Sequence, residues 1–269
     1  MGRRNFLMKL FLGIAGLLFL DSFWFERYII DWKEFDISEG SADKIKLIQL
    51  SDLHINSVKA FHRSLAERIN SERPDALLVT GDSLNNKHGI APLDDFLAMI
   101  DHDIPKFAIM GNVDYSGRVD LTILKNTYEK HNGTFLINQN HPLQVGERTV
   151  NLVGVDDYLY GNPDFSKASR GVDSSLDTIV LNHCPVYRNE IDAINRKLDQ
   201  KVKLVLSGHT HGGQITFFGK VIITPNGSGD YVKGWYENET SRMYVSKGIG
   251  TRGIPFRFGS RAEAVIFYV

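Results

Sequence analysis

The stretch Ile45-Lys46-Leu47-Ile48-Gln49-Leu50-Ser51-Asp52-Leu53-His54 decides how this chain is read. An apolar run of strand length leads into two metal-binding residue types two positions apart. Four further stretches follow the same plan: 76–80 before Gly81-Asp82, 107–110 before Gly111-Asn112, 178–181 before His183, and 204–206 before Gly208-His209-Thr210-His211. Polar residues at the exits of buried strands, drawn from distant segments, are how an α/β fold builds a site. The side chains collected are carboxylate, amide and imidazole, with no thiolate. That donor set suits Mn²⁺, Fe²⁺ or Zn²⁺.

Each signal alone is weak. An Asp-x-His pair is usually a surface cap, a Gly-Asp is usually a turn, and a lone histidine is usually a satisfied core residue. Together, in this order and each after a strand, they point to one metal centre. Asp52 and His54, like His209 and His211, lie two apart, and on an extended strand end both members of a pair face the same way. Asp82 has two carboxylate oxygens and can bridge two ions.

Outward from these motifs, strands and helices alternate. Residues 57–71 carry Phe61, Leu65 and Ile69 at helical spacing, and further helices are expected over 92–100, 119–131 and 188–198. Strands are expected at 134–137 and 149–153, and residues 214–269 read as short β segments with glycine-rich turns. The economical fold is one α/β domain over residues 45–269, with two sheets packed together and helices outside. The formal net charge is −1 and the body has no long basic run. That excludes a nucleic-acid surface as the expected partner. A single cysteine, Cys184, rules out an intrachain disulfide and reads as a small core residue.

Residues 1–30 have the anatomy of a signal or membrane anchor: Arg3-Arg4-Asn5-Phe6-Leu7, then an apolar run from Leu10 to Leu20, then Phe23-Trp24-Phe25. The paired arginines resemble a twin-arginine export signal. The apolar run is short of the roughly 20 residues of a full span, so an interfacial helix with Trp24 and Tyr28 at the headgroups is the alternative. No small-x-small cleavage site follows, and either membrane face is open. Residues 31–44 read as a tether.

The series Asp-x-His, Gly-Asp, Gly-Asn, His, Gly-His-x-His resembles the calcineurin-like metallophosphoesterases from about residue 45 onward. The resemblance implies a four-layer αββα sandwich of two mixed sheets. It implies one ion on Asp52, His54, Asp82 and His211, and a second on Asp82, Asn112, His183 and His209. It implies hydrolysis of a phosphodiester or pyrophosphate by activated water, with Asp82, Asn112 and Asp114 as the candidate catalytic group. His209-Thr210-His211-Gly212-Gly213-Gln214-Ile215 and Gly248-Ile249-Gly250-Thr251 look like its bacterial membrane-linked subgroup.

One departure stands out. The family usually follows Gly-Asn with a histidine that assists at the phosphoryl group, and here the residue is Val113. Three readings are open. In the first the leaving group needs no acid, as in the family's pyrophosphatases of the nucleotide-lipid UDP-2,3-diacylglucosamine, which also lack this histidine. His88 or His62 could substitute. Or the chain is a non-catalytic, regulatory metal-binding relative. Arg118, Arg252 and Arg257 are candidate phosphate contacts. Tyr158, Tyr160, Tyr231, Trp235 and Tyr236 read as packing before specificity, and Phe217-Phe218 as strand core.

Overall fold

The computed structural model describes residues 3–269. Helix α1 (Arg3–Leu20) runs through a π-helical turn, Asp21–Phe25, into α2 (Glu26–Tyr28). The strands that follow are β1 (Asp31–Asp36), β2 (Lys46–Leu50), β3 (Ala76–Val79), β4 (Lys106–Ala108) and β5 (Gly133–Phe135). Then come β6 (Gln139–Val145), β7 (Arg148–Gly154), β8 (Thr178–Leu181), β9 (Val202–Ser207), the two-residue strands β10 (Thr216–Phe217) and β11 (Lys220–Val221), β12 (Gly234–Glu237), β13 (Arg242–Val245) and β14 (Glu263–Tyr268). Between them lie α3 (Ala60–Glu72), α4 (Ile90–Leu97), α5 (Asn112–Ser116), α6 (Leu121–Glu129), α7 (Phe165–Ala168) and α8 (Arg188–Leu198).

One sheet has the order β1-β14-β2-β3-β4-β5, the other β12-β13-β9-β8-β7-β6. Both are mixed. In the first, β2 to β5 are parallel and β14 is antiparallel to β2. In the second, β7, β8, β9 and β13 are parallel and the outer strands β6 and β12 antiparallel.

Period-2 alternation builds the layers. Leu47 and Leu78 of the first sheet meet Leu152, Ile179 and Leu204 of the second in the central core. The neighbouring residues Ile48, Leu50, Leu77 and Val79 face outward onto Leu65, Ile69, Phe96 and Leu124 of α3, α4 and α6. On the far side Val153, Val180 and Val205 pack under Phe165, Tyr187 and Ile191. The result is helix, sheet, sheet, helix. Gln49 is the polar exception in the middle: its amide donates to Thr80 Oγ1 at 3.1 Å and to Ser207 O at 3.0 Å, tying the sheets together where both end.

Two expectations change here. Residues 31–44 are not simply a tether, because β1 pairs in parallel with β14 from Asp31↔Glu263 to Asp36↔Tyr268. Its burial barely alternates, which hides it in the sequence. Phe217 and Phe218 are not strand core: they are 59% and 93% exposed, on the small β10–β11 hairpin. Strand β6, half exposed and interrupted by Pro142, was also absent from the sequence expectation.

Candidate metal centre

The five motif segments leave β2, β3, β4, β8 and β9 at their C-terminal ends. Those strands are parallel within each sheet, so all five exits fall on one edge of the sandwich. Gly208 N–H donates to His183 O at 3.1 Å and Asp52 N–H to Gly81 O at 3.1 Å, stitching the exits to one another.

The turns are tight. Asp52, His54, Asp82, His209 and His211 all have φ between 47° and 73°. The expectation that Asp52 and His54 share an extended strand end is therefore corrected. The chain has left the strand, and left-handed backbone at each residue swings the side chains inward. Such conformations each cost of order 1–3 kcal/mol and persist where surroundings over-determine them. Close approach explains two glycines. A Cβ on Gly81 would lie 2.5 Å from His183 Nδ1, and one on Gly208 would fall on the Ser51 hydroxyl.

All seven metal-site candidates converge. His54 Nε2 and His211 Nε2 are 3.1 Å apart, with rings stacked at 15°. Asp52 Oδ1 is 3.5 Å from His211 Nε2. Asp82 Oδ2 is 3.6 Å from His54 Nε2 and 3.5 Å from His183 Nε2, so one oxygen serves both sides. Asn112 Oδ1 is 3.0 Å from His183 Nε2 and 2.9 Å from His209 Nδ1. Six of the seven are buried, and Asn112 is partly so.

Surrounding groups aim these side chains, as metal sites require. Val113 N–H donates to Asp82 Oδ1 at 2.7 Å, leaving Oδ2 to face the imidazoles. Thr80 O lies 2.8 Å from His183 Nδ1 and Asn226 O 2.7 Å from His209 Nε2, which turns the opposite nitrogen of each ring inward. His209 N–H and the Ser51 hydroxyl hold Asp52 at 2.9 and 2.7 Å.

The donors fit divalent cations. Burial lowers the pKa of His54 and His209, and brings His211 to about 3, so these rings stay neutral as ligands must. Burial resists charge on Asp82, but His183, bonded to it, and His54 hold its carboxyl well below the usual range. His183 is the exception. Burial acts against its charge, yet Asp82 and then Asp52 push it up to about 10. A cation among these carboxylates replaces that proton's charge and inverts the local preference.

Other candidates separate clearly. Asp114 is buried, and its two oxygens accept Leu84 N–H and Gly111 N–H, both at 3.0 Å, so its contacts brace the Asn112 turn instead of meeting a substrate. Burial and then the charge of Asp82 raise its pKa to about 7. Arg257 is buried, with carbonyls of Lys247, Gly248, Gly250 and Ser260 taking its guanidinium, which removes it from phosphate recognition. Arg118 is exposed, and Arg252 lines the cleft. His62 Nδ1 accepts Lys59 N–H at 3.0 Å at the start of α3, and His88 is exposed; neither lines the cleft. Cys184 donates to Asp157 at 3.3 Å, and burial pushes its thiol up, so it stays protonated. Trp235 packs on Phe35, Tyr244 and Phe267, and Tyr231 on Tyr236. The orienting carbonyls of Thr80 and Asn226 were invisible in the sequence, since any residue type supplies them.

The cleft at this edge has a volume of about 460 Å³. Asp82, Asn112, His209 and His211 form one wall, and Ile215, Ile222, Ile223 and Ile254 form another.

Comparison with known proteins agrees with this construction. A calcineurin-like phosphoesterase profile matches residues 45–213. An uncharacterized metallophosphoesterase of Bacillus subtilis, YkuE, is 29% identical over 99% of this chain and 97% of its own length. Another, of Aquifex aeolicus, is 30% identical over 90% of this chain and 89% of its own. A dimetal phosphatase from Danio rerio has the same fold, with a TM-score of 0.55 at 10% identity over 83% of this chain and 99% of its own. The profile spans more than half of the residues and the Aquifex relative nine tenths of them, so the chain belongs to the calcineurin-like phosphoesterase family and is a metal-dependent phosphoester hydrolase.

Proposed function

We propose that the chain is a membrane-anchored dimetal hydrolase of pyrophosphate or activated phosphodiester bonds, acting on a lipid-linked substrate of the type of UDP-2,3-diacylglucosamine. The observation that carries the reading is Val113. It lines the cleft beside Asp82 and Asn112, and among the described residues the only imidazoles lining that cleft are the ligand candidates His209 and His211. No spare acid stands there to protonate a departing oxygen. An alkoxide needs that proton, whereas a phosphate or nitrophenolate leaves without it.

Asp52, His54, Asp82 and His211 would hold one ion, and Asp82, Asn112, His183 and His209 the other. When bound, two divalent ions of manganese, iron or zinc neutralise phosphoryl charge and ready a water for attack near neutral pH. The chain's own part is positional. Asp82 is fixed by Val113 N–H, and the histidine rings by Thr80 O and Asn226 O. The isoleucine wall excludes water and accommodates an apolar substrate portion.

The anchor reading is supported by the helical run Arg3–Tyr28, 26 residues long and apolar enough to cross a membrane. No residue of α1 is buried against the domain. A bovine transmembrane protein with a metallophosphoesterase domain is 28% identical over 83% of this chain and 52% of its own length.

The test is a leaving-group series with the purified, manganese-loaded chain. Turnover should fall steeply as leaving-group pKa rises, with nitrophenyl diesters and nucleoside pyrophosphates cleaved and alkyl monoesters nearly inert. Efficient alkyl monoester hydrolysis with a flat dependence would sink the reading. For the anchor, removal of residues 1–20 should release the protein from membranes with nitrophenyl diester turnover intact. The cut stops there because Glu26 accepts Gly259 and Ser260 N–H, which makes α2 part of the folded domain.

A further inference from the structure

We infer that the mouth of the metal cleft is a membrane-inserting rim, through which the cleft draws its substrate from the bilayer. This rests on the anchor reading above. Three large apolar side chains stand in the open at the mouth, Ile223 at 77% exposure, Ile222 at 62% and Ile254 at 49%, and the adjoining β10–β11 hairpin exposes Phe218 at 93% and Phe217 at 59%. Large apolar side chains exposed this close together in sequence and around one cleft mark an interaction surface. Ile222, Ile223 and Ile254 line the same cleft as Asp82 and His209, so the patch is the lip of the reaction site itself.

The occupant follows from where α1 is rooted. Gln214 joins the β10–β11 hairpin to the 252–254 loop: its amide donates to Arg252 O and Ile254 O at 3.1 and 2.9 Å, and Arg252 N–H returns a bond at 2.9 Å. Phe217 stacks over Phe258. The same loop then holds the helix. Phe256 packs on Phe23 at 4.9 Å, Phe23 on Phe19 at 4.3 Å, and Arg257 N–H donates to Ser22 O at 3.1 Å. Segment 252–260 therefore carries the cleft mouth at one end and the root of the apolar helix at the other.

Trp24 and Tyr28 sit at that root, with Arg27 over the Tyr28 ring at 4.9 Å and Lys59 at 5.7 Å. Aromatic and basic side chains at a helix end mark the headgroup level. A bilayer holding α1 thus meets the lip of the cleft, and the lip presents phenylalanine and isoleucine to it. A lipid-linked phosphoester could move its headgroup to the metal ligands while its acyl chains stay along the isoleucine wall.

Cys184 is buried, so a cysteine introduced elsewhere takes label alone. Full-length Phe218→Cys and Lys125→Cys, labelled with an environment-sensitive fluorophore, are reconstituted in phosphatidylcholine–phosphatidylglycerol vesicles with and without doxyl-labelled lipid. Lys125 lies on α6 and is exposed. The expected result is blue-shifted emission and loss to the doxyl quencher at 218, with neither at 125. An aqueous spectrum at 218 while the protein stays vesicle-bound overturns the rim and leaves the anchor standing. Shielding at 218 without doxyl quenching means that a second copy of the chain covers the patch, and also overturns it. Ile223→Cys gives the same readout if the first variant misfolds. Failure of the anchor reading is distinguished by loss of the protein from the vesicles.

Discussion

His183 and His209 each have the nitrogen that faces away from the cleft bonded to a backbone carbonyl, whereas His54 and His211 do not. His54 Nδ1 is buried with no hydrogen-bond partner among the described residues. His211 Nδ1 has only Arg257 Nη2 at 3.4 Å, and that guanidinium is already committed to carbonyls. One half of the centre is aimed by hydrogen bonds, the other by ring stacking and neighbouring charge. Charge does little to separate the halves, because Asp82 is shared and Asp52 acts on His183 as well as on His211. What differs is orientation, and orienting partners are typically worth roughly 10–100-fold in metal affinity.

The largest effect expected removes the comparison altogether. Asp82→Ala deletes the one oxygen within 3.6 Å of both halves. Turnover should fall to background, with at most one ion per chain by metal analysis. Two ions retained in the variant would show that the halves are not joined there.

Val113→His comes next, because it adds to the well-aimed half the group that it lacks. A general acid is typically worth ~10²–10⁴-fold. The gain should appear on alkyl esters and be small on nitrophenyl esters, read as the slope of log rate against leaving-group pKa. An equal gain on both would mean that the new ring acts on binding, not on proton transfer.

Graded chelation sharpens the contrast itself. The ion on the His54–His211 side should leave first, at chelator strength roughly 10–100-fold lower than the second. His54→Gln and His183→Gln identify which ion remains. Simultaneous loss would show that stacking orients as well as hydrogen bonding does.

The smallest effect on turnover is expected at His62. Burial, and then Lys59, lower its pKa to about 4, and its Nδ1 must be unprotonated to accept Lys59 N–H. The unfolded chain takes that proton first, near pH 6.5. The contribution to stability is therefore full above that pH and is lost as pH falls towards about 4. The difference of about 2.5 units corresponds to ~3 kcal/mol. His62→Gln should flatten acid denaturation over that window and leave turnover nearly unchanged, because His62 is buried at the start of α3 and does not line the cleft of Asp82 and His209. A large loss of turnover would return His62 to the cleft.

The candidate metal ligands are legible because each is a distinctive residue type close after a buried parallel strand. Such strands are continuous apolar runs that few other elements imitate, as at 76–79 and 204–206. Helix α8 spans its expected residues 188–198, although its buried face is Arg188, Ile191, Asp192 and Asn195 and only one of those is apolar. What stayed hidden has no residue signature. Strand β1 is an edge strand whose burial barely alternates, and it pairs with residues more than 220 positions away. Asp114 and Arg257 carry the charges of substrate-binding residues, and only their bonds to backbone groups show them to be internal braces. Phe217 and Phe218 look like core in the sequence because nothing local distinguishes a strand's inner face from a lip left uncovered.

The run from α1 through the π-turn into α2 is unbroken, so the proposed anchor is a shaft and not a leash. Each residue of a helix adds about 1.5 Å of height and about 100° of rotation. Inserting one residue between Leu20 and Glu26 would hardly lift the domain, but would swing the cleft about a quarter-turn around the shaft. Four residues would nearly restore its heading, about 6 Å higher. Sensitivity to insertion length in this linker should therefore be periodic instead of graded, with a phase set by the bearing of the mouth relative to the helix axis.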